Sequence, residues 1–351
     1  MQQAALAKTD LLPLYGGSEV TAEDTPYTAY KFFKTYPTGF TVFDVAQPGA
    51  SFLTLAQDFA ALGPDLRGKK VVISFTPSTF NSYDINEEAY RGNFSRLHAN
   101  ALVFSPYLTM NLKQAAARRM LEFSQTTEND PLLKYGLINL AGNSFLNQCL
   151  YYFSWPLGML QTTLIRLQDH EIVLSFLLTD AGMVQDVKHD AAIINWGAVL
   201  YSARREQLSR TLNNPYGVDA LVWSNYQDQH IIPVPAGTKD QRFIQTLAAA
   251  KEWDDFELVL GILKEMGAEP LIMSRPMNVG LWEAFGVTRQ VQGTYYSKLH
   301  SVVDPYRFRL VDFHTQDDDL YFSVDGASHS SRAGWVYVDQ VLNRFYQGLL
   351  P

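Results

Sequence analysis

The sequence predicts an α/β fold: a three-layer α/β/α sandwich around a parallel sheet, with a helical insertion at roughly 84–238. Three observations predict it. Short apolar, β-branched runs each end in a turn-rich loop, a helix-spaced segment lies between two of them, and such runs are scarce through the middle of the chain, where helical spacing prevails.

The first strand is expected at 11–15, running into Gly16-Gly17-Ser18, and the second at 40–45, running into Gln47-Pro48-Gly49. Residues 51–62 have the apolar spacing of a helix closed by Gly63-Pro64, and 69–75 form a third strand ending at Thr76-Pro77-Ser78. Strand, helix, strand in so short a span reads as a crossover between parallel neighbours. Helices are expected at 112–123, 148–167 and 191–212, and then at 240–266 with Gly267 as C-cap. Strands at 269–273 and 308–313 and a terminal helix at about 335–347 complete the plan. No repeat or domain-separating linker interrupts it, so residues 1–351 read as one domain. Ligands of open α/β sheets bind beyond the carboxyl ends of strands, so the segments around Ser18, Gly49 and Pro77 are expected to converge on one crevice.

Composition bounds the function. With 47% hydrophobic and 13% aromatic residues, the chain buries a large core and is not disordered. A net charge of -8 excludes the clustered basic footprint that nucleic acid requires. The single Cys149 permits neither an internal disulfide nor a cysteine zinc cage, and is expected as a small buried hydrophobe. The opening MQQAALAKTD lacks the basic and apolar regions of a signal peptide, and no run of about 18 apolar residues occurs.

Ser18, after an apolar strand and two glycines, has the setting of an exposed nucleophile. A serine needs a base within reach, and the base needs a carboxylate to fix its tautomer. Asp325 and His329 supply both, in the small-residue loop 324–334 before the last helix. His300 and His314 lie on a helix face and at a strand end, where structural or surface roles are commoner. His170, His189 and Asp190 match no metal-ligand spacing, and no metal or cofactor is expected. Asp317-Asp318-Asp319 reads as a solvated acidic loop, and Gly142-Asn143-Ser144 as a plain turn.

The order of these motifs resembles the SGNH hydrolase superfamily and, more closely, the DltD family. Tyr15-Gly16-Gly17-Ser18-Glu19-Val20 is similar to that family's Tyr-Gly-Ser-Ser-Glu-Leu block, and His329 through Trp335 to its final His-Leu-Ser-x-x-Gly-Trp block. Gln47-Pro48-Gly49, Asn93-Phe94-Ser95, the helix with Ala115-Ala116-Ala117-Arg118-Arg119, and Pro270-Leu271-Ile272 with Pro276-Met277-Asn278 extend the likeness over most of the chain. Three departures stand out: Gly17 replaces a serine, Asp325 precedes His329 by four residues rather than three, and Thr76-Pro77-Ser78-Thr79-Phe80 occupies the third block.

The resemblance implies an SGNH-like sandwich and a serine acyltransferase, esterase or thioesterase in D-alanylation of teichoic acid or a related cell-envelope polymer. Ser18, His329 and Asp325 would be catalytic, with Ser18, Gly49 and Ser78 forming the oxyanion hole. It further implies a D-alanyl carrier protein or membrane acyltransferase as partner, and the polymer as acceptor. Its place would be the extracytoplasmic side of the membrane, anchored by an N-terminal helix not present in this chain. A non-enzymatic carrier- or polymer-binding module of the same pathway, or a generic SGNH esterase, are the alternative readings.

Overall fold

The computed structural model describes residues 2–21, 24–179, 193–212, 214–229 and 233–350. Five strands, β1 (Leu11–Gly16), β2 (Thr41–Ala46), β3 (Lys70–Phe75), β4 (Glu269–Ser274) and β5 (Arg309–Val311), form one sheet in the order β2-β1-β3-β4-β5. Every pairing is parallel, with Leu11 opposite Thr41, Leu14 opposite Val72, and Ile73 opposite Ile272. The order reverses direction between β1 and β3. At such a switch point the loops after the two strands leave in opposite directions and open a crevice at their carboxyl ends.

The strands are near-continuous apolar runs because both faces of the sheet are covered. Tyr15, Val71, Ile73, Phe75 and Ile272 share one core with the helices Phe52–Leu62 and Glu252–Met266. The alternate residues Leu12, Leu14, Val72, Leu271 and Met273 share another with Phe32 and Phe33 of Ala29–Thr35 and with Trp335, Val338, Leu342 and Phe345 of Arg332–Tyr346. The period-2 alternation of strand side chains thus sorts the interior into two layers. The crossover helix Phe52–Leu62 starts at Ser51, whose hydroxyl accepts from Thr54 N while Thr54 Oγ1 accepts from Ser51 N, a reciprocal cap.

All described elements between β3 and β4 are helical. Arg96–Val103, Met110–Met120, Pro131–Ala141 and Phe145–Thr179 extend the first layer, whereas Trp196–Leu208 lies on the other side, its Ala203 packed with Ala333 and Val336.

Several details differ from expectation. The helix expected over 240–266 is two helices, Asp240–Ala249 and Glu252–Met266. Ala250 is extended, and the Lys251 N–H leaves the helical ladder to donate to Tyr83 O at 3.0 Å. The last helix begins at Arg332, where Ser331 caps it by accepting from Gly334 N. Cys149 is exposed, not buried. It sits on Phe145–Thr179, a 35-residue helix whose outer side also exposes Phe145 and Phe153 at 81% and 79%. Among the described residues, no helix is long and apolar enough to cross a membrane.

The acidic run is solvated only in part: Asp318 is exposed, Asp317 and Asp319 are half-buried, and each carboxylate ties down a different element. Asp317 accepts from Met277 N and Tyr296 OH, Asp318 pairs with Arg289, and Asp319 binds Arg204 and Tyr337. Burial pushes the Asp317 carboxyl up to about 7. Periodicity shows consecutive charges but not the partners that approach from distant segments.

Candidate active site

β1 ends at Gly16, and Ser18 opens the short helix Ser18–Thr21. The two glycines are needed for space. Neither has positive φ, but a Cβ on Gly16 would lie 2.4 Å from Glu19 Oε1 and 3.0 Å from Ser74 O of β3, and one on Gly17 would lie 2.9 Å from Glu19 Oε2. The Glu19 side chain folds back into that gap and accepts from Gly17 N at 2.8 Å, which holds the turn ahead of the serine. Gln47 N of the β2 loop donates to Gly16 O at 3.3 Å, bringing Gly49 to the same edge.

The last loop arrives from the far end of the chain. Val324 N donates to His329 O and Ser331 N to Phe322 O, closing residues 324–329 into a tight excursion with Gly326 at φ +72. Such a backbone angle favours glycine. Asp325 organises the turn from within: Oδ1 accepts from the N–H groups of Ala327, Ser328 and His329 at 3.0, 2.8 and 3.0 Å. Its Oδ2 lies 2.9 Å from His329 Nδ1, and His329 Nε2 lies 3.0 Å from Ser18 Oγ. Residues more than three hundred positions apart thus form one continuous line of hydrogen bonds.

Burial works to raise the Asp325 carboxyl, but the hydrogen bond and charge of His329 and the donated N–H groups outweigh it and hold the group below the usual carboxylate range. The carboxylate is therefore ionised at neutral pH and only accepts, so His329 Nδ1 carries the proton. That leaves Nε2 with a lone pair directed at the Ser18 hydroxyl. The arrangement can remove a proton from a nucleophile and return it to a leaving group.

Of the residues expected to hold an oxyanion, Ser18 and Gly49 each have a backbone N–H that donates to no other group among the described residues. Gly49 has φ +75. The Ser78 hydroxyl is already engaged, 2.6 Å from Thr76 Oγ1 and 3.0 Å from Ser328 Oγ, so it bridges the β3 loop to the His329 loop.

Two of the other histidines are drawn elsewhere. His300 and His314 share Asp312, at 3.0 and 2.7 Å. Of His170, His189 and Asp190, whose spacing matches no metal-ligand motif, the last two lie outside the described residues. Among the described residues no group of three or more potential ligands could hold a metal ion. Asn143 and Ser144 are exposed and follow Gly142, the C-cap of Pro131–Ala141.

Sequence reasoning missed what lies beneath the serine. Arg275, directly after β4, is 2% exposed, sits over the Trp335 ring at 5.0 Å, and has no hydrogen-bond partner for its guanidinium. Burial lowers it to about 10, opposed by the charges of Glu19 and Asp339. Glu19 is itself raised, first by burial, with the N–H groups of Gly17 and Glu19 and then Arg275 acting against it. A charged residue closing the apolar run Leu271-Ile272-Met273 was the available signal.

Comparison with known proteins places this geometry in context. The family model described as DltD protein matches residues 1–347. The chain is 26% identical over 351 residues to Protein DltD of Bacillus subtilis (strain 168), covering 99% of this chain and 85% of that protein. It is 23% identical over 341 residues to Protein DltD of Staphylococcus aureus (strain NCTC 8325 / PS 47), covering 96% and 81% of the two. With Protein DltD of Lacticaseibacillus rhamnosus it shares 21% identity over 341 residues, 95% and 77% of the two chains.

Proposed function

This chain belongs to the DltD family, and from that premise we propose that it is a serine acyltransferase acting in D-alanylation of teichoic acid or a related envelope polymer. The observation that carries the reading is the two-bond line from Ser18 Oγ through His329 to Asp325, at the carboxyl edge of the sheet beside its switch point.

In the first half-reaction, Ser18 Oγ attacks the carbonyl carbon of an acyl ester or thioester while its proton passes to His329 Nε2. The imidazolium so formed is stabilised by the Asp325 carboxylate. Negative charge develops on the former carbonyl oxygen, where the N–H groups of Ser18 and Gly49 would receive it, each worth about 2.7–4 kcal/mol in the transition state. Collapse of the tetrahedral intermediate expels the leaving alcohol or thiol, which takes the proton from Nε2. In the second half-reaction His329 deprotonates an acceptor hydroxyl, which attacks the acyl-serine; collapse of the intermediate breaks the bond to Ser18 Oγ, which takes the proton back from Nε2 and restores the free enzyme. A polymer hydroxyl gives transfer, and water gives esterase or thioesterase activity.

The partners that fit this cycle are a D-alanyl carrier or membrane acyltransferase supplying the acyl group, on the extracytoplasmic face of the membrane where the polymer lies. The test is intact-mass analysis after exposure to a fluorophosphonate. A single covalent adduct in wild type and none in Ser18→Ala is expected. Absence of an adduct in a folded wild-type protein would instead favour a binding module.

A further inference from the structure

Beside the His329 loop lies a cleft of about 390 Å³ that the acyl-transfer steps leave unused. Ser78, Ala327, Phe243, Trp282, Lys239 and Arg242 are among the residues that line it. It adjoins the candidate site directly: the Ala327 N–H donates to Asp325, and the Ser78 hydroxyl is 3.0 Å from Ser328 Oγ, next to His329.

The wall combines apolar rings with two uncompensated cations. Phe243 and Trp282 are buried at 5% and 4%, and Phe285 meets Trp282 edge to face. Lys239 and Arg242 make no ion pair and no side-chain hydrogen bond among the described residues. The carboxylates near them are already committed. Asp240 accepts from Thr288 N and Oγ1 at 2.7 and 2.8 Å, and Asp325 is engaged by three N–H groups and the imidazole. Lys239 is the N-cap of the ten-residue helix Asp240–Ala249, and Arg242 lies in its first turn. A helix N-terminus favours negative charge, so these cations gain nothing from the fold there and would gain from a bound anion. Trp282 lines the cleft through its ring, its indole N–H being buried and without an acceptor.

We propose that this cleft is a subsite for a phosphate ester with an aliphatic substituent, Lys239 and Arg242 binding the phosphate while Phe243, Trp282 and Phe285 cover the carbon chain beside it. Calling it a substrate subsite rests on the acyl-transfer reading; the binding itself does not. Two sources share this chemistry: a repeat unit of a polyol-phosphate polymer accepting the acyl group, or the phosphopantetheine arm of a carrier donating it.

Isothermal titration with glycerophosphoglycerol and with 4'-phosphopantetheine, against glycerol and pantetheine, tests the proposal. Wild type, Ser18→Ala and the double variant K239Q/R242Q would be compared, with thermal melting to verify folding. Millimolar or tighter binding of a phosphorylated compound is expected, weakened by added salt and at least about tenfold in the double variant. The compound bound more tightly identifies the source. Equal binding of a neutral counterpart, no millimolar binding of either phosphorylated compound, or undiminished binding by the folded double variant overturns the proposal. Ser18→Ala should bind as wild type does even if no acyl-serine forms, so failure of the catalytic reading stays distinguishable from failure of this one.

Discussion

Replacing Asp325 by Asn separates the two jobs its carboxylate performs. The three N–H groups that converge on Oδ1 can be served equally by an amide oxygen, so the turn should survive. The amide nitrogen must then occupy the Oδ2 position, 2.9 Å from His329 Nδ1. Two N–H donors cannot face each other at that distance, so the imidazole must move its proton to Nε2, which faces Ser18 Oγ at 3.0 Å. The ring then donates to the serine and cannot accept from it. In an unrelated Ser-His-Asp enzyme this wrong-tautomer substitution costs on the order of 10⁴ in rate, equivalent to about 5 kcal/mol of transition-state stabilisation. Stability should fall by only about 1 kcal/mol, because one charged bond is weakened while the others persist.

The assay is hydrolysis of p-nitrophenyl acetate alongside thermal unfolding, with Asp325→Ala as a reference that loses both jobs. Asn is expected to lose rate with little change in melting temperature, and Ala to lose both. A rate loss under about tenfold in a folded Asn variant would refute the tautomer argument. So would losses that simply track stability across the two variants. The wild-type carboxylate also imposes a sign on acid unfolding. Its folded pKa lies below the unfolded one, so its stabilisation is complete above the ordinary carboxylate range and is lost as pH falls through the depressed value.

Gly16→Ala would place a Cβ against Glu19 Oε1, Val20 Cγ2 and Ser74 O at 2.4, 2.7 and 3.0 Å. It should destabilise by about 1–3 kcal/mol and disturb the serine turn, read by chemical denaturation together with esterase rate; unchanged stability would show that the turn relaxes freely. Ser328→Ala removes the 3.0 Å link to Ser78 that joins the β3 and His329 loops. A rate loss of about two- to tenfold is expected, the value of one hydrogen bond, and a loss near that of Asp325→Asn would mean that the link acts in the chemistry itself. Glu252 is buried, accepts from Phe52 N at 3.1 Å, and is pushed up to about 8 first by burial and then by Asp255. Its folded pKa exceeds the unfolded one, so its contribution is fully present below the unfolded carboxylate range and is lost as pH rises toward 8. Glu252→Gln should remove that slope and gain up to a few kcal/mol over wild type at alkaline pH, measured by denaturant midpoints from pH 5 to 9; a flat difference across the range would contradict the assignment.

Local chemistry was legible in the chain itself. Each strand is an apolar run of strand length ending in turn residues, and that pattern alone places β1, β2, β3 and β4 to within a residue or two. A strand-helix-strand unit of this length cannot form a hairpin, so the parallel pairing was legible too. Ser18, His329 and Asp325 were legible as candidates because a serine after glycines and an Asp-His pair in a small-residue loop are local features, and because their order along the chain matches a family pattern.

What depends on distant segments was decided only by tertiary structure. Spacing could not show whether an Asp four residues before His329 reaches the ring. It reaches because Gly326 adopts a left-handed backbone and three N–H groups gather on one oxygen, leaving the other for the imidazole. The exposure of Cys149 and the anchoring roles of Asp317, Asp318 and Asp319 could not be read from local spacing, since burial and ion pairing depend on which elements pack alongside. Arg275 lies under the serine turn for the same reason: the switch-point topology brings the end of β4 against Glu19 and Trp335, and although a charge closing an apolar run singles the residue out, its neighbours along the chain do not show which groups bury it.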